Sequence, residues 1–487
     1  MRFLLKTAVA SSVVAAASAA VTSSSIVAAA SSASSAAASS VSNVAAATTA
    51  APAATTAAGA ATTAAAAPVS VSFLSTGPSA VPLASITEGA ATATTNALHP
   101  TLIATPGATP PISGAPALPS WSFVPGTFPA LDLTPDVSSP QVSAWVQEVA
   151  NSGVTIPNIA QTVLGGCANN TAAASDTSRC WWTCGECTRQ TDITTCPDKL
   201  TWGVSFDDGP TPYTTDLLNF MDDVKIKSTF FIVGSRAISR PDILQAEYMA
   251  GHQLSVHTWS HPYLTTLTNN QIIAELGWTR EAIRQITGVS PNTMRPPYGD
   301  IDDRVRAICQ AMGMTPIIWT SVNGQDFDTN DWHIPSGQSV ESVVAEFDTI
   351  LDTSATTLST GFIVLAHDLY QQTVELATGY TLPSALARRN PSFNLMPIIT
   401  CQHKPLGDAY VETNNNQTNP ISSAALPLTG TAAVTGTMNA GGSAASTGAS
   451  STTTSKSGAE LVYGSLGAAK AMAVAAFAVV GGALMVV

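Results

Sequence analysis

The sequence predicts an α/β protein with a parallel sheet, either a (β/α) barrel or a doubly wound fold. Short apolar runs alternate with amphipathic helical patterns over roughly 200 residues, from 199 to 401. Unusual polar residues follow the ends of several apolar runs. Long Ala/Ser/Thr tracts lie outside this region and lack the large apolar residues that a core needs, so we expect them to be disordered.

The alternation can be followed element by element. The predicted strands cover 202–206, 228–233, 253–256, 293–296, 315–320 and 361–365. The predicted helices cover 214–223, 241–250, 271–287, 303–312 and 340–351. The pattern is clearest in 271–287, where apolar residues recur at helical spacing: Ile272, Ile273, Leu276, Ile283 and Ile286.

Composition limits the partners that we expect. The 487 residues include 19 Lys and Arg against 32 Asp and Glu, a formal net charge of −13 at pH 7. This balance argues against nucleic acid, because phosphate binding needs clustered basic residues. Only 10% of the residues are charged, because the terminal tracts dilute the composition, so we expect one catalytic domain and a monomer.

The flanks suggest a protein that enters the secretory pathway. Residues 1–20 resemble a signal peptide, with Arg2 and Lys6 before an apolar stretch. Residues 21–119 form a low-complexity segment that we expect to be disordered or O-glycosylated. A Cys-rich N-terminal cap, or a separate small module, covers 120–198. The catalytic domain covers 199–401, and a Ser/Thr/Gly-rich stalk covers 402–457.

The C-terminus predicts a lipid anchor. Residues 458–487 end in an apolar tail with no basic cluster after it, and small residues precede the spacer. This pattern favours a GPI signal, with attachment at Ser457, over an ordinary membrane-spanning helix. We therefore expect attachment through the lipid to the outer face of the plasma membrane, and a location in the cell wall.

Seven cysteines fit a secreted protein: Cys167, Cys180, Cys184, Cys187, Cys196, Cys309 and Cys401. The spacing of Cys180, Cys184 and Cys187 would also suit a zinc knuckle, but an oxidising compartment favours disulfides. The odd total leaves one thiol unpaired. Sequons at Asn169 and Asn416 predict glycan sites.

Candidate metal ligands follow two of the predicted strands. Asp207 and Asp208 end the first strand before a Gly-Pro turn, and His257 and His261 follow the third. The His-x3-His spacing suits a metal, and Asp208 is the candidate third ligand of an open catalytic site of the zinc type. The same set could hold the iron of an oxygenase, although the His-x-Asp spacing usual there is missing.

Three further motifs carry polar residues after apolar runs. The first is Arg295-Pro-Pro-Tyr298-Gly299, which could also be an ordinary proline turn. The second, Asp328-Thr-Asn-Asp331-Trp332, places acids beside an aromatic ring. The third puts His367 after the most apolar strand, where a buried structural histidine is the alternative.

In chain order, SFDDGP, HTWSHP, RPPYG, DTNDW and LAHD resemble the five motifs of the polysaccharide deacetylase family, also called carbohydrate esterase family 4 or the NodB-homology domain. The resemblance covers about 199–401. It implies a distorted (β/α) barrel with the site at the carboxyl ends of the strands. Ser205 departs from the more usual Thr. The preceding RCWWTCGECTRQTDITTCPDK resembles the leader of fungal chitin deacetylases.

The resemblance also implies a role for each residue. The metal ligands, for one divalent ion (zinc or cobalt), would be Asp208, His257 and His261. Asp207 would be the general base and Arg295 its partner, and His367 would be the general acid, oriented by Asp331. Asp207, the backbone N–H of Tyr298, and a pocket walled by Trp332 and Leu365 would bind the substrate.

The expected function is hydrolysis of the N-acetyl groups of N-acetylglucosamine units in chitin, giving chitosan and acetate during cell-wall formation. A water activated by the metal would be the nucleophile. The same residues could serve acetylated xylan or peptidoglycan. A wall mannoprotein that only binds polysaccharide is the non-catalytic alternative, but it predicts degraded motifs, and none of the metal ligands is missing.

Overall fold

The structure is a computed structural model that describes residues 73–89, 94–124 and 126–414. The predicted signal peptide at 1–20, the anchor signal at 458–487, Ser457 and Asn416 lie outside these ranges. Across the described ranges, no helix combines the length and the apolar character that crossing a bilayer requires.

The strands are β1 Thr201–Gly203, β2 Ser205–Asp207, β3 Thr229–Ile232, β4 Gln253–Val256, β5 Thr293–Met294, β6 Thr315–Pro316, β7 Ser321–Val322, β8 Gln325–Asp326, β9 Phe362–Ile363 and β10 Asn394–Met396. The helices are α1 Pro140–Asn151, α2 Gly166–Asn169, α3 Thr171–Ser175, α4 Thr214–Val224, α5 Gly234–Ser239, α6 Pro241–Met249, α7 Asn269–Thr287, α8 Asp303–Ala311, α9 Val340–Thr356, α10 Gln371–Leu376, α11 Leu382–Ala387 and α12 Ile398–Cys401.

Parallel strands form the centre of the structure. Strands β2 to β6 make a five-stranded parallel sheet in chain order, and β1 pairs in parallel with β9 and β10. All residues of β1 to β4 are buried. Burial on both faces is typical of a parallel sheet covered by helices, and it explains the continuous apolar runs in the sequence.

Irregular backbone joins these sheets into a distorted barrel. Beyond β6, the N–H of Thr320 donates to the carbonyl of Ile363 at 3.0 Å. Just after β9, the carbonyl of Ala366 accepts from the N–H of Asp207 at 2.9 Å. Backbone hydrogen bonds thus run from one edge of the five-stranded sheet to the other. Of the two predicted α/β folds, the barrel is confirmed.

Local sequence explains the long helix α7. Thr268 and Gln271 form a capping box at its start, and Gly288 ends it with a φ of 87°. Its buried face carries the predicted apolar residues. Helices α5, α10 and α11 were not predicted, because at six residues each they are too short for a helical period to stand out.

The prediction of disorder up to residue 119 is wrong for the described part of that segment. Leu102, Ile112 and Leu118 are buried in the main core. The backbone N–H of His99 also donates to Asn219 Oδ1 at 2.7 Å. The segment cannot build a core of its own, but single apolar side chains can still fill grooves on a core that the barrel supplies.

The Cys-rich cap shares the core of the barrel. Trp145 and Trp182 belong to the main core cluster, which argues against an independent module. Disulfides join Cys167 to Cys184, Cys180 to Cys187, and Cys196 to Cys401. The unpaired cysteine is Cys309, which is buried. The three cysteines of the alternative zinc knuckle, Cys180, Cys184 and Cys187, are all in disulfides.

The fold also continues past the predicted domain end at 401. Tyr410 is fully buried, and its hydroxyl accepts the N–H of Leu254 at 2.9 Å. The carbonyl of Ser290 accepts the N–H of Val411 at 2.9 Å. The beginning of the predicted stalk therefore packs on the barrel. The sequence did not reveal this boundary, because the packed segment has no apolar period.

Candidate active site

The predicted site residues come together at the carboxyl ends of the barrel strands. Asp207 ends β2, His257 follows β4, and Arg295 follows β5. His367 lies beside Asp207, in a parallel bridge that continues from β9. This is the end at which βα barrels place their active sites.

Asp208, His257 and His261 form a group that could hold a metal ion, with ligand atoms within 4.8 Å of one another. The Oδ1 atom of Asp208 lies 3.1 Å from His261 Nε2 and 3.6 Å from His257 Nε2. Asp208 and His261 have left-handed backbones, with φ of 81° and 59°. Such conformations are uncommon outside glycine, and here they direct both side chains to one point.

The three residues fit a divalent cation. Asp208 Oδ1 is buried and has no hydrogen-bond donor. His257 Nδ1 contacts the carbonyl of Arg295 at 2.8 Å, which fixes the ring and leaves Nε2 facing Asp208. Burial holds the pKa of His257 well below its usual value, so the ring is neutral. Burial would raise the pKa of Asp208, but its interactions with His261, with the Arg236 guanidinium and with His257, which favour the carboxylate, outweigh burial and lower that pKa.

Glu275 holds the turn between the two histidines, a role that the sequence analysis missed. It is fully buried, and its carboxylate accepts the N–H of Trp259 at 2.8 Å, and the N–H and hydroxyl of Ser260 at 2.9 and 2.5 Å. A signal was available in the sequence. Glu275 lies one helical turn after Ile272, so an acid occupies the apolar face of α7.

Two other residues support the turn after β2. Arg236 Nη1 donates to the carbonyl of Asp208 at 2.6 Å. A Cβ on Gly209 would lie 2.3 Å from Asp368 Oδ2, so the carboxylate of Asp368 packs against Gly209 and leaves no room for a side chain there. The sequence signal for Asp368 is its place directly after His367. The sequence shows no comparable signal for Arg236, because the helix that carries it is short.

Asp207 faces a different partner from that of the adjacent Asp208. Its Oδ1 accepts Arg295 Nη1 at 2.6 Å, and its Oδ2 lies 3.8 Å from His257 Nε2. Both members of the pair are buried. Burial raises the pKa of Asp207 to about 6, although the Arg295 charge opposes the rise. A carboxylate with such a pKa is suited to accept a proton near neutral pH.

His367 and Asp331 form a second buried pair. His367 Nδ1 lies 2.7 Å from Asp331 Oδ1, and the backbone N–H of His367 donates to Asp331 Oδ2 at 2.9 Å. Burial lowers the pKa of His367, but the Asp331 carboxylate outweighs it and raises that pKa to about 10. The imidazole is therefore cationic at neutral pH, as a general acid requires.

The predicted substrate-binding residues line the same region. Tyr298 is 37% exposed, and its ring lies 4.6 Å from that of His261 and 3.9 Å from that of Tyr263. Leu365 is buried, and its carbonyl accepts the hydroxyl of Thr329 at 3.0 Å, next to the loop that carries Trp332. Their contacts with substrate stay predictions.

Of the predicted glycan sites, the described one is Asn169. It is exposed, and its side-chain amide donates to the carbonyl of Leu164 at 2.9 Å. Exposure is what a glycan acceptor needs, and its modification stays a prediction.

Comparisons with known proteins identify relatives of the chain. Residues 194–317 match the model of a family described as polysaccharide deacetylase. Chitin deacetylase 1 of Cryptococcus neoformans var. grubii is 52% identical over 374 residues, which cover 74% of this chain and 78% of that protein. Chitin deacetylase of Amylomyces rouxii is 34% identical over 257 residues, covering 46% and 59%.

Solved structures are also similar. The chitin deacetylase of Colletotrichum lindemuthianum matches 46% of this chain and 97% of its own, with 26% identity and a TM-score of 0.41. Peptidoglycan deacetylase PdaC of Bacillus subtilis matches 42% of this chain and 92% of its own, with 27% identity and a TM-score of 0.36.

Proposed function

The chain belongs to the polysaccharide deacetylase family, and we propose that it is a chitin deacetylase. The reaction hydrolyses N-acetyl groups of N-acetylglucosamine units in chitin and yields chitosan and acetate. One observation carries the proposal: adjacent Asp207 and Asp208 face different partners, Arg295 and the two histidines respectively. One acid is therefore available as a base and the other as a ligand.

Asp208, His257 and His261 would hold the metal ion, zinc or cobalt. When bound, such an ion supplies a Lewis acid that lowers the pKa of a water molecule and polarises the acetyl carbonyl. The ligand turns are held rigidly from behind, by Arg236 at Asp208 and by Glu275 at the histidine turn. This support keeps the ligands in place before the substrate arrives.

Asp207 takes the proton of the attacking water. Arg295 holds its Oδ1, so Oδ2, the oxygen nearer to His257, is left to accept the proton. The pKa of about 6 keeps Asp207 ionised at neutral pH but basic enough to act. Arg295 thus limits how far burial raises the pKa and fixes which oxygen reacts.

His367 donates a proton to the leaving amine. Its Nδ1 is bound to Asp331, so Nε2 is the atom that can reach the substrate nitrogen. The N–H of Tyr298 stabilises the developing oxyanion, and Trp332 and Leu365 enclose the acetyl methyl group. Without this proton the nitrogen would have to leave as an amide anion, a very poor leaving group, whereas with it a neutral amine leaves, which is why the cationic state of His367 matters.

The proposed setting is the fungal cell surface. Disulfides in the cap suit an oxidising compartment. We propose secretion, a GPI lipid that attaches the protein to the outer face of the plasma membrane, and action on wall chitin as a monomer. Release from membranes by a phosphatidylinositol-specific phospholipase tests the anchor, and retention after complete digestion of a control would favour a spanning helix.

Acetate release from chitin oligomers tests the activity. We expect release by the purified protein, loss after chelation, and recovery when zinc or cobalt is returned. Acetylated xylan and peptidoglycan fragments, assayed in parallel, test the substrate class. Binding to chitin without acetate release at any metal concentration would instead support a non-catalytic wall protein.

A further inference from the structure

The Cys-rich cap binds the stretch that directly follows the turn with Arg295 and Tyr298. Trp181 Nε1 donates to Asp300 Oδ1 at 2.7 Å. The N–H of Trp182 donates to the carbonyl of Ile301 at 2.9 Å. The cap therefore reaches the backbone next to the active-site turn and not only the outer surface of the barrel.

Ion pairs extend this contact along the chain. Arg179 pairs with Asp302 and Arg189 pairs with Asp303, each at 2.7 Å, and all four side chains are buried. Buried pairs of this geometry are costly to separate, because each leaves an unpaired charge behind. The segment after the turn is thus held firmly against the cap.

Trp182 makes the contact nearest to the site. A Cβ at Gly299 would lie 2.3 Å from the Cε3 and Cζ3 atoms of Trp182, so the indole covers Gly299 with no room for a side chain. Gly299 directly follows Tyr298, and both have left-handed backbones, with φ of 64° and 59°. Glycine adopts this conformation freely, but Tyr298 does so at a cost that packing from outside must offset.

The indole of Trp182 also has an indirect contact with Arg295. Its ring lies 4.7 Å from that of Trp319, at an interplanar angle of 73°. The guanidinium of Arg295 lies 5.9 Å from the ring of Trp319. One side chain of the cap thus packs against the turn on one side and against a neighbour of Arg295 on the other.

We propose that Trp182 is a positioning residue for catalysis. It holds the turn Pro297–Gly299 so that the Tyr298 N–H and the Arg295 guanidinium keep their places. The inference rests on the proposed deacetylase function, in which the Tyr298 N–H stabilises the oxyanion and the Arg295 guanidinium holds Asp207. A displacement of about 1 Å can lower a rate about 10²-fold, so a residue outside the cleft can matter.

Trp145 provides a matched control. Trp145 and Trp182 are each 7% exposed, and each covers a glycine. A Cβ at Gly277 would lie 2.3 Å from Trp145 Cε3, but Gly277 lies in helix α7 rather than in a site turn. Replacing either tryptophan with leucine removes similar packing, but only Trp182 contacts the turn.

The experiment compares Trp182→Leu with Trp145→Leu in the full chain. We expect kcat on chitin oligomers to fall at least about tenfold in Trp182→Leu, with KM and the Kd for Co²⁺ within about threefold of wild type. We expect Trp145→Leu to lower Tm to a similar extent while kcat stays within about twofold. The Co²⁺ titration distinguishes two causes of a lower kcat: a displaced turn leaves the Kd for Co²⁺ unchanged, whereas damage to the metal site raises it.

Three outcomes would overturn the inference: an unchanged kcat in Trp182→Leu, an equal loss of kcat in both variants, or a weakened Co²⁺ site that accounts for the loss. If Trp182→Leu does not fold, Trp182→Phe keeps an aromatic ring but lacks the Cζ3 and Cη2 atoms that face Gly299, and it should still lower kcat. An unchanged kcat there also counts against the inference. An inactive wild type refutes the proposed function, and the inference with it, whereas an active wild type with an insensitive Trp182→Leu refutes the inference alone.

Discussion

The catalytic cleft and the cap interface both bury arginine–carboxylate pairs, but they satisfy them differently. At the cap, Arg306 donates through its whole guanidinium group. Its Nε reaches both oxygens of Asp192, at 3.1 and 2.9 Å, and its Nη1 and Nη2 reach the carbonyls of Cys180 and Cys187 at 2.6 and 2.8 Å. Each donor nitrogen has an acceptor.

In the cleft, several buried polar atoms have no hydrogen-bond partner. Arg295 donates from Nη1 to Asp207, but its Nε and Nη2 are buried without an acceptor. Asp208 Oδ1 is likewise buried without a donor. Buried polar atoms are usually paired, so those that are not indicate where a cation or substrate group is expected. The contrast holds for Arg306 and Arg295; Arg179 Nε, in the cap, is also buried without an acceptor, so an unpaired atom marks chemistry only where it faces the site residues.

The largest expected effect is in the cleft. Asp207→Asn keeps the side-chain size and one acceptor for Arg295 but removes the base, so we expect kcat to fall roughly 10²–10⁴-fold. Acetate release measures it. Asp352→Asn is the control, because Asp352 pairs with Arg388 at the surface and is 70% exposed. A rate for Asp207→Asn within a few-fold of wild type would contradict its role as base.

Loss of the Arg306–Asp192 pair at the cap should lower the stability of the fold. Arg306→Met leaves Asp192 buried without its partner, so we expect the free energy of unfolding to fall by about 3–5 kcal/mol. Urea unfolding with intact disulfides measures it. Arg284→Met is the control, because the Arg284 side chain is half exposed and its pair with Glu281 should contribute at most about 1 kcal/mol. Equal losses in both variants would show that the cap pairs are not stabilising in the way proposed.

The His367–Asp331 pair predicts a shift in pH dependence. Asp331 raises the pKa of His367 from 6.5 to about 10, so the imidazole stays cationic through neutral pH and loses its proton as the pH rises through about 10. Asp331→Asn removes that charge. We expect the alkaline limb of the kcat profile to move down toward pH 6.5. A variant whose alkaline limb stays near that of wild type would rule out this role for Asp331.

Glu247 is another buried polar residue without partners that lies outside the site. It is fully buried, and neither carboxylate oxygen has a partner, yet it lies in α6, outside the site motifs. Burial raises its pKa well above 4.5, so the folded state retains a proton that the unfolded state releases. Stability should therefore be full below pH 4.5 and decline as the pH rises through the folded pKa.

Glu247→Gln removes this pH dependence. We expect its Tm to exceed that of wild type by a few degrees at pH 8 but not at pH 4, because about 1 kcal/mol shifts Tm by roughly 2–4 °C in a domain of this size. Thermal unfolding at both pH values measures it, and kcat should stay the same. A large loss of kcat would mean that Glu247 belongs to the catalytic machinery, and a Tm gain at pH 4 would refute the titration argument.

Much of the site could be predicted from sequence because its residues lie in short motifs after strands. Asp207 and Asp208, His257 and His261, Arg295 and His367 each follow an apolar run, and the carboxyl ends of parallel strands meet at one rim. The residues that support the site were harder to predict from the sequence. Glu275 carried a weak signal as an acid on an apolar helix face, whereas Arg236 carried none.

The sequence by itself predicted the main alternation of strands and helices between 199 and 401 and the polar residues that gather at one rim, because local periodicity and short motifs encode them. Tertiary structure alone decided the Cys196–Cys401 disulfide, the burial of Leu118 and Tyr410, and the contact of Trp182 with Gly299. The partners in these contacts are far apart in the chain and have no common period. Only the closed barrel brings them together, which is why a loop of the cap can support a turn of the active site.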